Sequence, residues 1–138
     1  MVKTYEIILN TRGFCDIHDI TSEVEDKLKE SGLKEGMCLV FIPGATAAVT
    51  TTEFEPGNIR DYQEFMERIV PSTKPYHHND TWHDGNGFSH LRASLQKPSL
   101  CLPFKDRKLI RGTWQNIVVV DFDNRARTRR VIIQFMGD

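Results

Sequence analysis

The chain is short of most features that would declare a specialised class. No apolar run approaches the roughly 20 residues of a membrane span. The opening Met1-Val2-Lys3-Thr4-Tyr5-Glu6 lacks the apolar core of a signal peptide. Together these predict no membrane partner and a cytoplasmic location. There are only three cysteines, Cys15, Cys38 and Cys101, far apart and with no C-x-x-C pair. That excludes a disulfide framework and a zinc ribbon, and apolar neighbours predict small buried hydrophobes. Charge of neither sign prevails, since 18 Lys+Arg face 19 Asp+Glu for a net charge of −1. No global field therefore draws nucleic acid. Repeats, low-complexity tracts and Gly/Ser linkers are also missing, so residues 1–138 read as a single domain. What is present, 39% hydrophobic and 27% charged residues, suffices for a core and excludes wholesale disorder.

Alternation predicts a strand over Val2 to Asn10, with Tyr5, Ile7 and Leu9 on one face. After Gly13, Phe14 to Ile20 reads as a second short strand. Thr21-Ser22 opens a polar helix, with Ser22 and Glu25 as a capping box and Gly32 as the stop. Met37 to Pro43 is a continuous apolar run, which predicts a strand buried on both faces. The Thr-rich Ala47 to Phe54 reads as its neighbour. Asn58 caps a second helix whose stripe is Ile59, Tyr62, Phe65, Met66, Ile69 and Val70, ended by Pro71. Ser99 to Phe104 is a strand, and Lys105-Asp106-Arg107 a hairpin turn. Gln115 to Phe122 and Arg130 to Met136 are strands whose short link favours antiparallel pairing. The fold class is α+β and β-rich: an antiparallel β-sandwich, jelly-roll-like or an open barrel, with two helices.

Chemistry concentrates in Pro71 to Ala93, PSTKPYHHNDTWHDGNGFSHLRA. A long stretch of weak periodicity inside a domain is usually functional or disordered, and Tyr76, Trp82 and Phe88 offer burial. Four of the five histidines lie there: His77, His78, His83 and His90. Imidazoles beside Asp80 and Asp84 suit a divalent ion, zinc or magnesium, with open positions. The alternative is ordinary loop histidines bonded to backbone or water. Gly85-Asn86-Gly87 is either an anion-holding nest of amides or a plain turn. On a strand, His90, Arg92 and Ser94 would share one face and suit a phosphate or carboxylate, or form a solvated edge.

Other segments offer supporting groups. Gly44 to Ala48 can line a pocket, with Thr46 its hydroxyl. Glu53 is a candidate base or metal ligand, or an exposed carboxylate. Trp114 reads as core, while Thr113 and Gln115 lie opposite it and can bond a ligand or a neighbouring strand. The basic run Arg125 to Arg130 lacks the interleaved aromatics of a nucleic-acid surface and reads as a solvated hairpin.

The ordered series PGATAAVTTTE, YHHNDTWHDGNGFSHLRASL, PSLCLPF and RGTWQNIVVVDFDNRARTRRVIIQFMG resembles the YjbQ-like family of small bacterial and archaeal proteins, from about Met37 to the C-terminus. The resemblance implies an antiparallel β-sandwich with two helices, assembled as a homotrimer. It also implies a weak, secondary thiamine-phosphate synthase activity, a transfer that joins a phosphorylated thiazole to hydroxymethylpyrimidine diphosphate and releases diphosphate. By motif, family histidines fall on His78, His83 and His90, the acidic position on Glu53, and the G-T-W-Q signature on Gly112 to Gln115. Two positions depart: Gly44 and Phe88 stand where many members carry histidine.

The combined expectation is an enzyme acting on a small phosphorylated molecule. His78, His83 and His90 hold a divalent metal, and Asp84, Glu53 and His90 do acid–base work. Gly85, Asn86, Gly87, Arg92, Ser94, Thr46, Thr113 and Gln115 bind substrate. The alternatives are a non-catalytic module that binds or senses a phosphorylated ligand, and a His-rich loop serving only as a trimer contact.

Overall fold

The strands pair in two groups, and the chain's apolar patterning explains why. A computed structural model describes all 138 residues. Strands β1 (Val2–Thr11), β8 (Arg127–Gly137), β3 (Gly36–Phe41), β5 (Ser99–Lys105) and β6 (Lys108–Leu109) form a five-stranded sheet in the order β1-β8-β3-β5-β6. Strands β2 (Asp16–Asp19), β7 (Asn116–Asp121) and β4 (Ala47–Thr52) form a three-stranded sheet in the order β2-β7-β4. Every pairing is antiparallel. Four helices accompany them: α1 (Thr21–Ser31), α2 (Pro56–Ile69), α3 (His77–Trp82) and α4 (Gly87–Gln96).

The strand buried on both faces is β7. Ile117 and Val119 join a core with Val40, Ile133, Phe135 and the α1 residues Val24 and Leu28. Val118 and Val120 join a second core with Met66 of α2 and Ala93 of α4. Successive side chains alternate across a sheet, so β7 is the middle of three layers. The run at Met37 does not have this property. Cys38, Val40 and Ile42 are buried, but Met37 is 53% exposed and Phe41 is also exposed. Register places Met37 between Met136 and Pro103, with Val2 beyond Met136, so an apolar row crosses the uncovered face of the larger sheet.

Several sequence expectations need correction. The two closing strands do not pair with each other: β7 lies between β2 and β4, and β8 between β1 and β3. Residues 122–126 carry the chain from one sheet to the other. Strand β4 pairs with β7 rather than with the Met37 strand. There are four helices, not two, because the His-rich stretch is helical in two pieces. Helix α1 has no side-chain cap at Ile20; the Asp19 carboxylate instead accepts from the Thr21 amide at 3.0 Å and its hydroxyl at 2.6 Å. Gly32 stops that helix at φ +72°. Helix α2 is capped by Glu55, which accepts from Gly57 N and Asn58 N, with Pro56 in the first turn where no amide is missed. Phe65 and Ile69 of its predicted stripe are exposed, as are Cys101 and, at 71%, Trp114. No helix is long and apolar enough to cross a membrane.

Candidate functional site

The crossover between β7 and β8 is built from two acids and two arginines. Asp121 and Asp123 are fully buried. Arg129 donates from Nε to Asp121 Oδ2 at 2.7 Å and from Nη2 to Asp121 Oδ1 at 3.0 Å. Arg127 donates from Nε to Asp123 Oδ2 at 2.7 Å. Thr11 donates to Asp121, and Thr46 donates to Asp123 while accepting from Arg129 Nη2 at 2.6 Å. Buried charges are tolerated when paired and hydrogen-bonded in this way. Burial pushes the Asp123 carboxyl up, but donors from the Asn124 amide, Arg127 and Asn86 outweigh it and hold the group below the usual carboxylate range.

This network orients the His-rich segment. The Asn86 Nδ2 donates to Asp123 Oδ1 at 3.3 Å, and the Asn124 Nδ2 donates to the Asp84 carbonyl at 2.6 Å. A carboxylate only accepts, so Asp123 fixes which way the Asn86 amide faces. The Asn86 Oδ1 is then buried with no partner. Ser89 donates to the Phe122 carbonyl at 2.6 Å, anchoring α4 on the same crossover.

His78 of α3 and His90 of α4 come together, with ring centroids 4.4 Å apart and planes tilted by 42°. The Asp84 Oδ1 lies 3.6 Å from His78 Nδ1, beyond hydrogen-bond reach, and that buried nitrogen is unpartnered. Burial, and then the neighbouring His78, lower the His90 pKa below the ordinary imidazole value. His90 is therefore neutral near neutrality and able to take a proton. A cleft of about 170 Å³ opens beside it, lined by Gly44, Ala45, Ala47, His90, Ser94 and Pro98. His90 and Ser94 share a face because they are four apart on a helix.

The cation at this cleft is not the expected one. Arg92 is two residues from His90 on a helix, hence on the opposite side. Its side chain is 3% exposed, donates to the Val70 carbonyl at 2.7 and 3.0 Å and to Glu67 at 2.8 Å, and lies over the Phe88 ring. It closes the end of α2 and faces no ligand. Arg129 takes its place: with its side chain only 10% exposed, its Nη1 makes no hydrogen bond within the chain. That nitrogen lies 3.1 Å from where a β-carbon on Gly44, one of the residues lining the cleft, would stand. Gly44, at φ +121°, suits that close approach twice over. The signal for Arg129 was readable: D-x-D followed by R-x-R places two acids on one strand face and two bases on another.

The remaining expected residues separate. His83 ends α3 in a left-handed conformation, exposed, apart from the His78–His90 pair. No three donors converge in a metal-holding arrangement. Glu53 is exposed beyond β4. Thr46 is buried in the acid–arginine network. The Gly87 amide is taken by Asn79 Oδ1 at 3.0 Å, and a β-carbon there would meet Tyr76 at 2.7 Å. Gly85 has φ +70°, as a turn requires. Thr113 lines a different cleft beside α1, and Gln115 accepts from the Gly112 amide at 2.7 Å.

A family model described as UPF0047 protein YjbQ-like matches residues 5–138. The chain belongs to the YjbQ-like UPF0047 family. A UPF0047 protein of Archaeoglobus fulgidus is 41% identical over 129 residues, covering 94% of this chain and 98% of its own. The UPF0047 protein YugU of Bacillus subtilis is 34% identical, covering 99% and 100%. Among solved structures, a hypothetical protein from Aeropyrum pernix K1 superposes with a TM-score of 0.92 at 31% identity over 99% of each chain. A YbjQ-like protein of unknown function from Sulfolobus solfataricus P2 gives 0.90 at 30% identity over the full length of both.

Proposed function

We propose that this YjbQ-like protein is a small enzyme acting on a phosphorylated small molecule bound in the cleft between α4 and the Gly44–Ala47 turn. One observation carries the reading: Arg129, pinned by Asp121 and Thr46, has a spare donor against Gly44, which lines the same cleft as His90. A pre-positioned guanidinium neutralises phosphate charge without reorganising. His90, kept neutral beside His78, is the group able to accept a proton from the substrate.

The family resemblance supports a transferase of the thiamine-phosphate synthase kind. In that reaction a thiazole nitrogen bonds to the pyrimidine methylene carbon as the C–O bond to diphosphate breaks. The departing diphosphate keeps the electron pair, and Arg129 offsets its charge. A divalent ion, when bound, would be held by His78 and His90, the two imidazoles that come together within the chain. The homotrimer is part of the proposal, supported by the uncovered apolar row through Val2, Met136 and Met37.

The test incubates purified protein with both thiamine precursors and follows diphosphate release. Turnover lost in His90→Gln and retained in His83→Ala supports the reading. Stabilisation by a phosphate ester without turnover favours the non-catalytic binding module. Neither stabilisation nor turnover rejects both. Elemental analysis of the same sample and of His78→Gln and His83→Ala checks the metal and which imidazoles hold it.

A further inference from the structure

A second, larger cleft of about 470 Å³ opens between α1 and the β5–β6 hairpin. We infer that it is a binding site for a small anion carrying two or more linked phosphate groups. It shares no lining residue with the His90 cleft. Four cations, Lys29, Arg107, Lys108 and Arg111, face one carboxylate, Glu25. In a chain of net charge −1, that is a marked local excess. Leu28 and Leu109 supply apolar lining. The volume falls in the range of small-molecule sites, and the cations gather in one concavity rather than along a stripe, which fits a compact ligand better than a nucleic-acid strand.

Local geometry holds the cations in place at some cost. Arg111 is clamped: its Nη1 donates to the carbonyls of Gly112, Thr113 and Gln115 at 3.2, 3.3 and 3.3 Å, and its Nη2 to Glu25 at 3.3 Å. The hairpin turn is Asp106-Arg107, with φ +53° and +63°. Such turns favour Asn-Gly or Asp-Gly, so an arginine in the second position is the strained choice. Across the same hairpin Lys105 lies directly opposite Lys108, a like-charge pair that opposes pairing. Arg107, Lys108 and the clamped Arg111 meet at one cleft, where a bound polyanion would neutralise them and ease the Lys105–Lys108 repulsion beside it.

The probe is inorganic diphosphate, titrated calorimetrically at low ionic strength into the full chain. One equivalent should bind in this cleft, beyond any held beside Arg129. Arg107→Gly should weaken binding roughly tenfold, and because glycine suits the turn its Tm should match or exceed that of the unaltered protein. Lys108→Gln should weaken that equivalent similarly, while Lys3→Gln leaves it unchanged and His90→Gln alters only binding beside Arg129. Equal weakening by Lys3→Gln would reveal only general charge attraction and overturn the site. So would loss through His90→Gln with Arg107→Gly unaffected, no diphosphate binding at all, or binding confined to long polyanions such as heparin or single-stranded RNA.

Discussion

Arg129 grips Asp121 with two parallel hydrogen bonds, Nε to Oδ2 at 2.7 Å and Nη2 to Oδ1 at 3.0 Å, although the two residues belong to different sheets. The carboxylate is fully buried and also accepts from Thr11. Removing one member of such a pair strands the other charge. Asp121→Ala should therefore lower unfolding stability by about 3–5 kcal/mol, read from urea denaturation. A loss within about 0.5 kcal/mol would mean the crossover is solvated rather than sealed.

Arg92 serves the helices and not the ligand. Arg92→Met removes its bonds to Glu67 and to the Val70 carbonyl while keeping much of its stem volume. The expected cost is about 1–3 kcal/mol from an unpaired, half-buried carbonyl and a lost charged hydrogen bond. Phosphate-ester affinity per folded molecule should not change. A variant that folds normally but no longer binds would restore Arg92 as an anion ligand.

The histidine pair makes a prediction about titration. His90 is held low by burial first and by His78 second. Replacing His78 with Gln removes the second cause, so the His90 pKa should move up toward the ordinary value, followed by NMR of the ring protons. The same shift sets a stability slope. A His with a lowered folded pKa binds its proton more readily when unfolded, so stability falls as pH drops below about 6.5 toward the folded value. His90→Gln should flatten that part of the curve.

Asp123 acts at lower pH. Its folded pKa lies below 3.8 because donors from Asn124, Arg127 and Asn86 outweigh burial. The resulting stabilisation is present above the unfolded value and is lost as pH falls through the folded one. Asn86→Ala removes one of those donors and should shift acid unfolding to higher pH, measured by circular dichroism. An unmoved midpoint would show that the Asn86–Asp123 bond is not made in solution.

Strand periodicity was readable wherever one face is wet: Tyr5, Ile7 and Leu9 share the inner side of β1 as alternation implies. It failed at Met37, because an apolar run does not say whether its outer residues meet another layer or solvent. It failed again at the His-rich segment, where polar residues hide helical spacing; His90 and Ser94 remained neighbours only because both periods happen to allow it. Pairing partners were the least legible element. Periodicity within residues 115–136 does not say that the chain changes sheets between two strands; the change is fixed by the Asp121–Arg129 and Asp123–Arg127 pairs across the connection. The D-x-D and R-x-R spacings hinted at it, but the arginines read as a solvated run.

The doubly covered β7 divides the consequences of mutation by parity. Shaving a methyl from position 117 or 119 loosens the core shared with α1 and the outer sheet, while the same change at 118 or 120 loosens the seat of α2 and α4, on which the histidine pair depends. Neighbouring valines one peptide apart thus govern different halves of the molecule, and drift at even-numbered positions should be felt in ligand affinity well before it is felt in β-sheet integrity.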